Sequence, residues 1–223
     1  MNVKLISYST PSKEFLDEVS SATLQDLVAY CARVSNPANQ TNKETADKLL
    51  KYLIKHKHWS PLEMVSVCME IETTRDIARQ ILRHRSFSFQ EFSQRYADPT
   101  KELNFEVKEA RMQDPKNRQN SIREGVDLMV SKQWNDIQHD IVAKAKDAYN
   151  WAIKNGIAKE QARAVLPEGL TMSRMYMNGT LRSWIHYIQL RSANGTQKEH
   201  MDIALACAKV ISEIFPMETL VTQ

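Results

Sequence analysis

The chain has 223 residues, 42% of them hydrophobic, enough for one domain with a substantial core. Its 30 basic and 27 acidic residues leave a net charge of +3, too balanced for bulk nucleic-acid binding, so any anion site has to be local. No apolar run reaches the length of a membrane span, and Met1-Asn2-Val3-Lys4 opens no signal peptide, which makes a soluble, cytoplasmic protein the expectation.

In chain order, Val3 to Tyr8 alternates as a short half-buried strand. Helices are expected at Lys13 to Val19 and Leu24 to Val34, the second ended by Ser35-Asn36-Pro37. Thr41 to Lys57 reads as a further helix, with Thr41 and Glu44 in capping-box register and Ala46, Leu49, Leu50, Leu53 and Ile54 as its core stripe. His56, His58 and Trp59 follow, then Ser60-Pro61-Leu62-Glu63. By local rules Ser60 is an N-cap, Pro61 sits at N1 and Glu63 at N3. Met64 to Glu72 alternates again, with Val65, Val67, Met69 and Ile71 on one face, and predicts a strand.

Thr73 to His84 has helical spacing, with Thr73 as N-cap and Asp76 in capping-box register. Ile77, Ala78, Ile81 and Leu82 form its apolar face. Arg75, Arg79 and Arg83 recur every fourth residue on a second face, beside Gln80 and His84. The helix runs into Arg83-His84-Arg85-Ser86-Phe87-Ser88-Phe89-Gln90-Glu91-Phe92-Ser93-Gln94-Arg95-Tyr96, where arginines alternate with phenylalanines that need cover. Guanidinium forks match phosphate or carboxylate oxygens in pairs, and aromatic rings offer faces to a flat ligand. An anionic, planar ligand fits this chemistry. On the residues alone two other readings stay open: solvated charge closing a helix, or a patch for single-stranded nucleic acid.

Ala97-Asp98-Pro99 breaks the regularity, Asn104 to Ala110 is a candidate strand, and Arg111 to Asn120 a polar loop. Ser121 to Asn155 reads as one long amphipathic helix through Ile122, Val126, Met129, Ile137, Ile141, Ala145, Ala148 and Ala152, long enough to pack against a partner subunit. Gln161 to Pro167 ends another helix, Leu170 to Met177 is extended, and Thr180 to Arg191 is helical with Leu181, Trp184, Ile185 and Ile188 buried and Arg182, His186 and Gln189 on another face. After the turn at Ser192 to Gly195, Thr196 and Glu199 cap a last helix whose core is Ile203, Cys207, Val210, Ile211 and Ile214. Together these elements predict an α+β fold, a mixed β-sheet packed with long amphipathic helices, in a single domain over residues 1–223.

Cys31, Cys68 and Cys207 are scattered, without a Cys-x-x-Cys, and read as buried small hydrophobes; they argue for a reducing compartment and against a metal site. The five glycines build no G-x-G-x-x-G and no P-loop, so a nucleotide cofactor would bind without a Rossmann turn.

Arg83-His84-Arg85, seven residues, then Ser93 resembles the signature of the flavin-dependent thymidylate synthases, and Ser93-Gln94-Arg95-Tyr96 continues the likeness. It extends over roughly residues 30 to 195: Ala32-Arg33-Val34-Ser35, the His58-x-Ser60-Pro61-x-Glu63 segment, Ala162-Arg163-x-x-Leu166-Pro167, and Leu181-Arg182-Ser183-Trp184-x-His186 followed four residues on by Arg191. The resemblance implies synthesis of dTMP from dUMP, with methylenetetrahydrofolate as carbon donor and NADPH as reductant through FAD in a non-Rossmann site. It implies a homotetramer whose sites draw on several subunits, and small-molecule partners (dUMP and folate) rather than nucleic acid or membrane.

Residue by residue, the resemblance puts Ser35, Ser60, Glu63, Arg83, His84, Arg85, Glu91, Arg182 and His186 at the flavin. Gln80, Arg83, Gln90, Glu91, Ser93, Arg95, Arg163 and Arg191 would meet dUMP, with Ser93, Arg191 and His58 serving the reaction itself. Gly195 stands where some family members place a cofactor-contacting histidine. For His58, Ser60 and Glu63 the helix-start reading competes with the functional one. Cysteine-dependent thymidylate synthases attack the uracil ring with a thiolate, and no cysteine here has an activating neighbourhood. A flavin-borne hydride removes that need, and Ser93 then orients substrate rather than attacking it. The rival class is a nucleic-acid module, which would bind polynucleotide with steep salt dependence and carry no chromophore. A second alternative is a flavin reductase that oxidises NADPH without making dTMP.

Overall fold

Two strands of strict inside–outside alternation organise the chain. The computed structural model describes residues 1–216. In chain order it builds β1 (Asn2–Tyr8), α1 (Lys13–Glu18), α2 (Leu24–Ala32), α3 (Ala46–Lys55), a 3₁₀ turn at Ser60–Met64, β2 (Ser66–Thr74), α4 (Arg75–Ile81) and β3 (Ser88–Glu91). Then come α5 (Pro99–Glu102), β4 (Met112–Gln113), β5 (Ser121–Ile122), α6 (Leu128–Lys154), α7 (Lys159–Ala162), β6 (Met172–Thr180), α8 (Leu181–Arg191) and α9 (Lys198–Ile214).

Val67, Met69 and Ile71 of β2 and Met175 and Met177 of β6 are fully buried, while Ser66, Cys68, Glu70 and Glu72 line the opposite face. The buried face packs on Ile77, Ala78 and Ile81 of α4, Leu181, Trp184, Ile185 and Ile188 of α8, and Ile203, Cys207 and Ile211 of α9. Trp184 fixes this layer with a hydrogen bond as well as its bulk: its indole Nε1–H donates to the Val67 carbonyl at 3.0 Å.

The sheet has the order β1-β2-β6-β3, and every pairing is antiparallel, which corrects the expected mixed sheet. The physical reason is an insertion. β2, α4 and β3 form a crossover whose two strands run parallel, yet β6 lies between them and is antiparallel to both, Glu72 opposite Arg174 and Glu91 opposite Met175. A second, two-stranded pairing joins Met112 to Ile122.

Several expected helix caps are corrected, Thr73 among them, whose buried hydroxyl has no hydrogen-bond partner among the described residues. α3 begins at Ala46, not Thr41, because the buried Arg33 guanidinium donates to the Asn42 carbonyl and to Thr45 Oγ1, holding residues 42–45 off helix. Thr73 stays in β2. The free N–H groups at the start of α4 go to backbone, Arg75 N to Thr171 O at 3.0 Å and Asp76 N to Glu168 O at 3.3 Å, while the Thr74 hydroxyl meets Asp76 Oδ1. Ser60 opens the 3₁₀ turn without capping it, and α9 starts after Gln197 with no side-chain cap.

The expected helix from Ser121 is divided. Ser121 and Ile122 pair with the Met112–Gln113 strand, Gly125 takes φ +82°, and Asp127 Oδ1 caps α6 by accepting from Met129 N and Val130 N. The expected apolar stripe divides too: Gln138, Val142, Ala145, Tyr149 and Ala152 face the chain, whereas Met129, Ile137 and Ile141 are exposed. The segment 104–110 contributes one bridge, Phe105 to Thr171, rather than a strand. Among the described residues, no helix is long and apolar enough to cross a membrane.

Candidate active site

α4 divides the arginine-rich segment between two sides of the molecule. At about 100° per residue, Arg75 and Arg79 share one flank, while Gln80 and, past the helix end, His84 lie around the other. They lie apart from Arg75 and Arg79, and of the three arginines their spacing first sets them beside, only Arg83 stays near them. Each flank carries its own cluster.

On the Gln80 flank, α8 and α9 close over the turn that follows α4. Arg191 at the end of α8 donates from Nε to His84 Nε2 at 2.9 Å, which makes that imidazole nitrogen an acceptor and the ring neutral. The ring stands edge-on to Tyr187, centroids 4.9 Å apart. Burial, reinforced by the Arg191 charge, pulls the His84 pKa down to about 4. Gln80 donates to Gln197 Oε1 at 2.8 Å and faces His200 Nδ1 at 3.2 Å. Arg83 and Arg85 are exposed, and among the described residues neither guanidinium has a side-chain or backbone acceptor. Two free guanidinium groups beside a neutral imidazole suit a phosphate-bearing group.

On the opposite flank, Glu168 accepts from Arg75 at 3.4 Å and from Arg79. Burial alone would raise the Glu168 carboxyl, but the hydrogen bonds and charges of these two arginines outweigh it and hold the pKa low. Glu91 in β3 accepts from Ser173 Oγ at 2.7 Å and lies 3.6 Å from Arg75. Past β3 the chain turns at Ser93, whose Oγ accepts from Arg95 N at 3.4 Å. Arg95 and Arg163 converge on Glu160: the first pairs with its carboxylate at 3.3 Å, the second donates to its carbonyl at 3.2 Å. Arg75, Arg79, Gln94, Arg163, Leu166 and Glu168 line a cleft of about 290 Å³. Gln94, only 4% exposed, has an Nε2 with no partner among the described residues. Gln90 points outward from β3.

A third group lies at the start of α8. Arg182 pairs with Glu63 at 2.7 Å, and one turn on His186 meets Trp59 edge-on at 4.4 Å between centroids. Burial, then the Arg182 charge, lowers the His186 pKa. His58 and Ser60 are exposed in the same turn, with His58 beside Tyr52. Ser35 is exposed after α2 and joins none of the clusters.

So the expected site residues fall into three sets: Gln80, Arg83, His84, Arg85 and Arg191; Glu91, Ser93, Arg95 and Arg163; and Glu63, Arg182 and His186 with His58 and Ser60 nearby. Among the described residues no ion pair or side-chain hydrogen bond links the first two sets. Sequence reasoning missed Gln94, Glu168, Gln197, Glu199 and His200. His200 could have been found as the polar residue in the apolar spacing 200, 203, 207, 211 of α9, where it is fully buried. The cysteines are also partly corrected: Cys207 is fully buried but Cys31 and Cys68 are half-buried, and burial pushes all three thiols above their usual pKa.

Comparison with known proteins gives one family. Residues 18–217 match the family model described as thymidylate synthase complementing protein. The chain is 49% identical over 216 residues to the probable flavin-dependent thymidylate synthase of Paramecium bursaria Chlorella virus 1, and 48% identical over 216 residues to the flavin-dependent thymidylate synthase of Synechocystis. Each alignment covers 97% of this chain and 96% of the relative. The Thermus thermophilus enzyme of the same name is 33% identical over 191 residues, 85% of this chain and 68% of its own.

Proposed function

The chain belongs to the flavin-dependent thymidylate synthase family, and from that premise we propose that it makes dTMP from dUMP by reductive methylation, with methylenetetrahydrofolate as carbon donor and NADPH as reductant through FAD. Bound flavin would supply the hydride transfer that no side chain can. The rest falls to the chain's own residues.

Arg95 and Arg163 converge over Glu160, an exposed arrangement from which both guanidinium groups can turn to a nucleotide phosphate. Ser93 offers a hydroxyl beside them to orient the substrate, and Gln90 and Glu91 line the adjoining strand. Arg191 and Gln80 approach from the other flank. Arg191 would stabilise negative charge developing on a uracil oxygen, with His84, neutral at physiological pH, as its acceptor. Arg83, shared between substrate and cofactor, and Arg85 would hold flavin phosphates. Glu63, Arg182, His186, Ser60 and Ser35 would line the rest of the cofactor, with His58 at the reacting side. The raised thiols of Cys31, Cys68 and Cys207 support a reaction without a cysteine nucleophile.

The observation that carries this reading is the separation of Gln80 and Arg191 from Arg95 and Arg163 on opposite flanks of α4. One nucleotide needs both sets, so each site would combine two copies of the chain in a cytoplasmic homotetramer. The exposed stripe of Val130, Trp134, Ile137 and Ile141 along α6 supports such an assembly, since an apolar row of this length seeks cover. Co-expressing Arg95→Ala with Arg191→Ala tests it. At dUMP well below saturation each variant alone should form dTMP at about a tenth of the wild-type rate or less, while mixed assemblies should regain part of the wild-type rate, because some of their sites receive both intact sets. No recovery in assemblies that contain both chains would place the two sets in one subunit's site and refute the sharing.

A further inference from the structure

The buried side chains behind Gln80 form a chain of hydrogen bonds whose direction is set at one end. Arg111, just before β4, donates to Glu199 Oε1 at 2.5 Å. Burial pushes the Glu199 carboxyl up, but a backbone hydrogen bond, Gln197 and the Arg111 and Lys108 charges outweigh it and keep the group ionised. An ionised carboxylate only accepts. Gln197 therefore has to turn its Nε2 toward Glu199 Oε2, 3.0 Å away, leaving its Oε1 for Gln80. Gln80 in turn has to present Nε2 to that oxygen, at 2.8 Å, so its own Oε1 faces His200 Nδ1 at 3.2 Å. That carbonyl needs a donor, which puts the imidazole proton on Nδ1. His200 Nε2 is then an acceptor for the Tyr187 hydroxyl at 3.2 Å. His200 is fully buried, Glu199 is 5% exposed, and each link leaves only one orientation for the next.

We propose that Gln197 and Glu199 are positioning residues of the nucleotide site: together they fix the Gln80 amide with its carbonyl turned inward to His200 and one N–H left for the substrate. The inference rests on the assignment of Gln80 to dUMP made above. It goes further in stating that Gln80 recognises an acceptor, a phosphate or uracil oxygen, and that residues which never touch the nucleotide decide this. Gln80 alone could rotate its amide by half a turn at little cost and present either group. The carboxylate at the far end of the relay removes that freedom.

The test is calorimetric titration of dUMP into the flavin-loaded enzyme. Gln197→Leu removes the acceptor that holds the Gln80 N–H and lets the amide turn; the expected result is a Kd about tenfold higher, the usual size for losing one oriented hydrogen bond that leaves a buried partner unpaired, with FAD occupancy unchanged. Glu199→Gln can donate as well as accept, frees the Gln197 amide and should weaken dUMP binding in the same direction, whereas Glu199→Asp keeps the anion and should retain most of the affinity. A wild-type Kd in Gln197→Leu, or equal Kd values for Glu199→Gln and Glu199→Asp, overturns the relay. If Gln197→Leu does not fold, the two Glu199 variants decide: a weaker Kd in Glu199→Gln than in Glu199→Asp supports the relay, and equal values overturn it. Wild-type enzyme that holds flavin and fails to bind dUMP overturns the substrate reading instead, and the Gln80 assignment with it.

Discussion

Gly179→Ala links the packing of the sheet to the arginine-rich segment. A Cβ built on Gly179 lies 2.4 Å from Phe87 Cδ1 and 2.6 Å from Cε1. Carbon atoms rest at about 3.5–4.0 Å, so the overlap exceeds about 1 Å. Phe87 is 8% exposed and cannot swing away easily: its ring meets Trp184 edge-on at 4.8 Å, with Tyr187 and Phe89 beyond. Alanine also gains about 0.4–1 kcal/mol by restricting the unfolded chain, which a mild contact would leave in its favour. Overpacking of this kind costs about 1–3 kcal/mol, and the overlap here puts the substitution at the upper end, so the net effect is destabilising. For a chain of this size a kcal/mol moves the melting temperature by about 2–4 °C, so a drop of several degrees is expected. The same displacement reaches the site. Phe87 N donates to the His84 carbonyl at 3.3 Å, and Ser183 Oγ donates to the Ser86 carbonyl at 3.3 Å, so a shifted ring moves the turn that carries His84 and Arg85. Thermal melts and flavin content of purified Gly179→Ala check both consequences. A melting temperature at or above wild type, with normal flavin content, would refute the claim that this glycine is needed for the close approach of Phe87.

Arg95→Ala should weaken dUMP binding by about tenfold or more, the scale of a lost charge-assisted contact, and leave FAD bound; loss of flavin with normal dUMP affinity contradicts the assignment. Cys68→Ala and Cys207→Ala should both keep turnover within a few-fold of wild type, with Cys207→Ala melting lower because the thiol is fully buried; a folded variant without activity would undo the thiolate-free reading. Acid should destabilise the fold through two histidines. Burial, then Arg191, holds His84 at about 4, and burial, then Arg191 and His84, holds His200 at about 3, against 6.5 for the free side chain. Both rings are neutral in either state above pH 6.5, so their contribution is complete there. Below it the unfolded chain takes up protons that the folded chain refuses, and stability is lost down through about pH 4 for His84 and pH 3 for His200. Melting curves from pH 8 to 5 should show the decline begin near 6.5, and His200→Asn should flatten part of it.

What the sequence made legible was whatever depends on neighbours along the chain. The alternation of Val67, Met69 and Ile71 gave β2 its buried face, and the spacing of Leu181, Trp184, Ile185 and Ile188 gave α8 its own. Pairing between distant segments was not readable: nothing local to Met172–Thr180 says that it enters between β2 and β3 and makes the sheet wholly antiparallel. Thr41 and Thr73 each stand three residues before an acidic side chain, yet Arg33 holds residues 42–45 off helix, and the carbonyls of Thr171 and Glu168 take the first N–H groups of α4. For the site, the motif residues were all legible in the sequence, but their division into separate clusters comes from the geometry of α4. The relay from Arg111 to His200 joins residues too far apart in sequence for spacing to expose.

The central claim is a flavin site that answers to both NADPH and dUMP, and the visible spectrum of the freshly purified protein tests it most directly. The account predicts a yellow flavin band that bleaches when NADPH is added without oxygen, at a rate that changes once dUMP is present. A colourless protein that takes up no added FAD would contradict it.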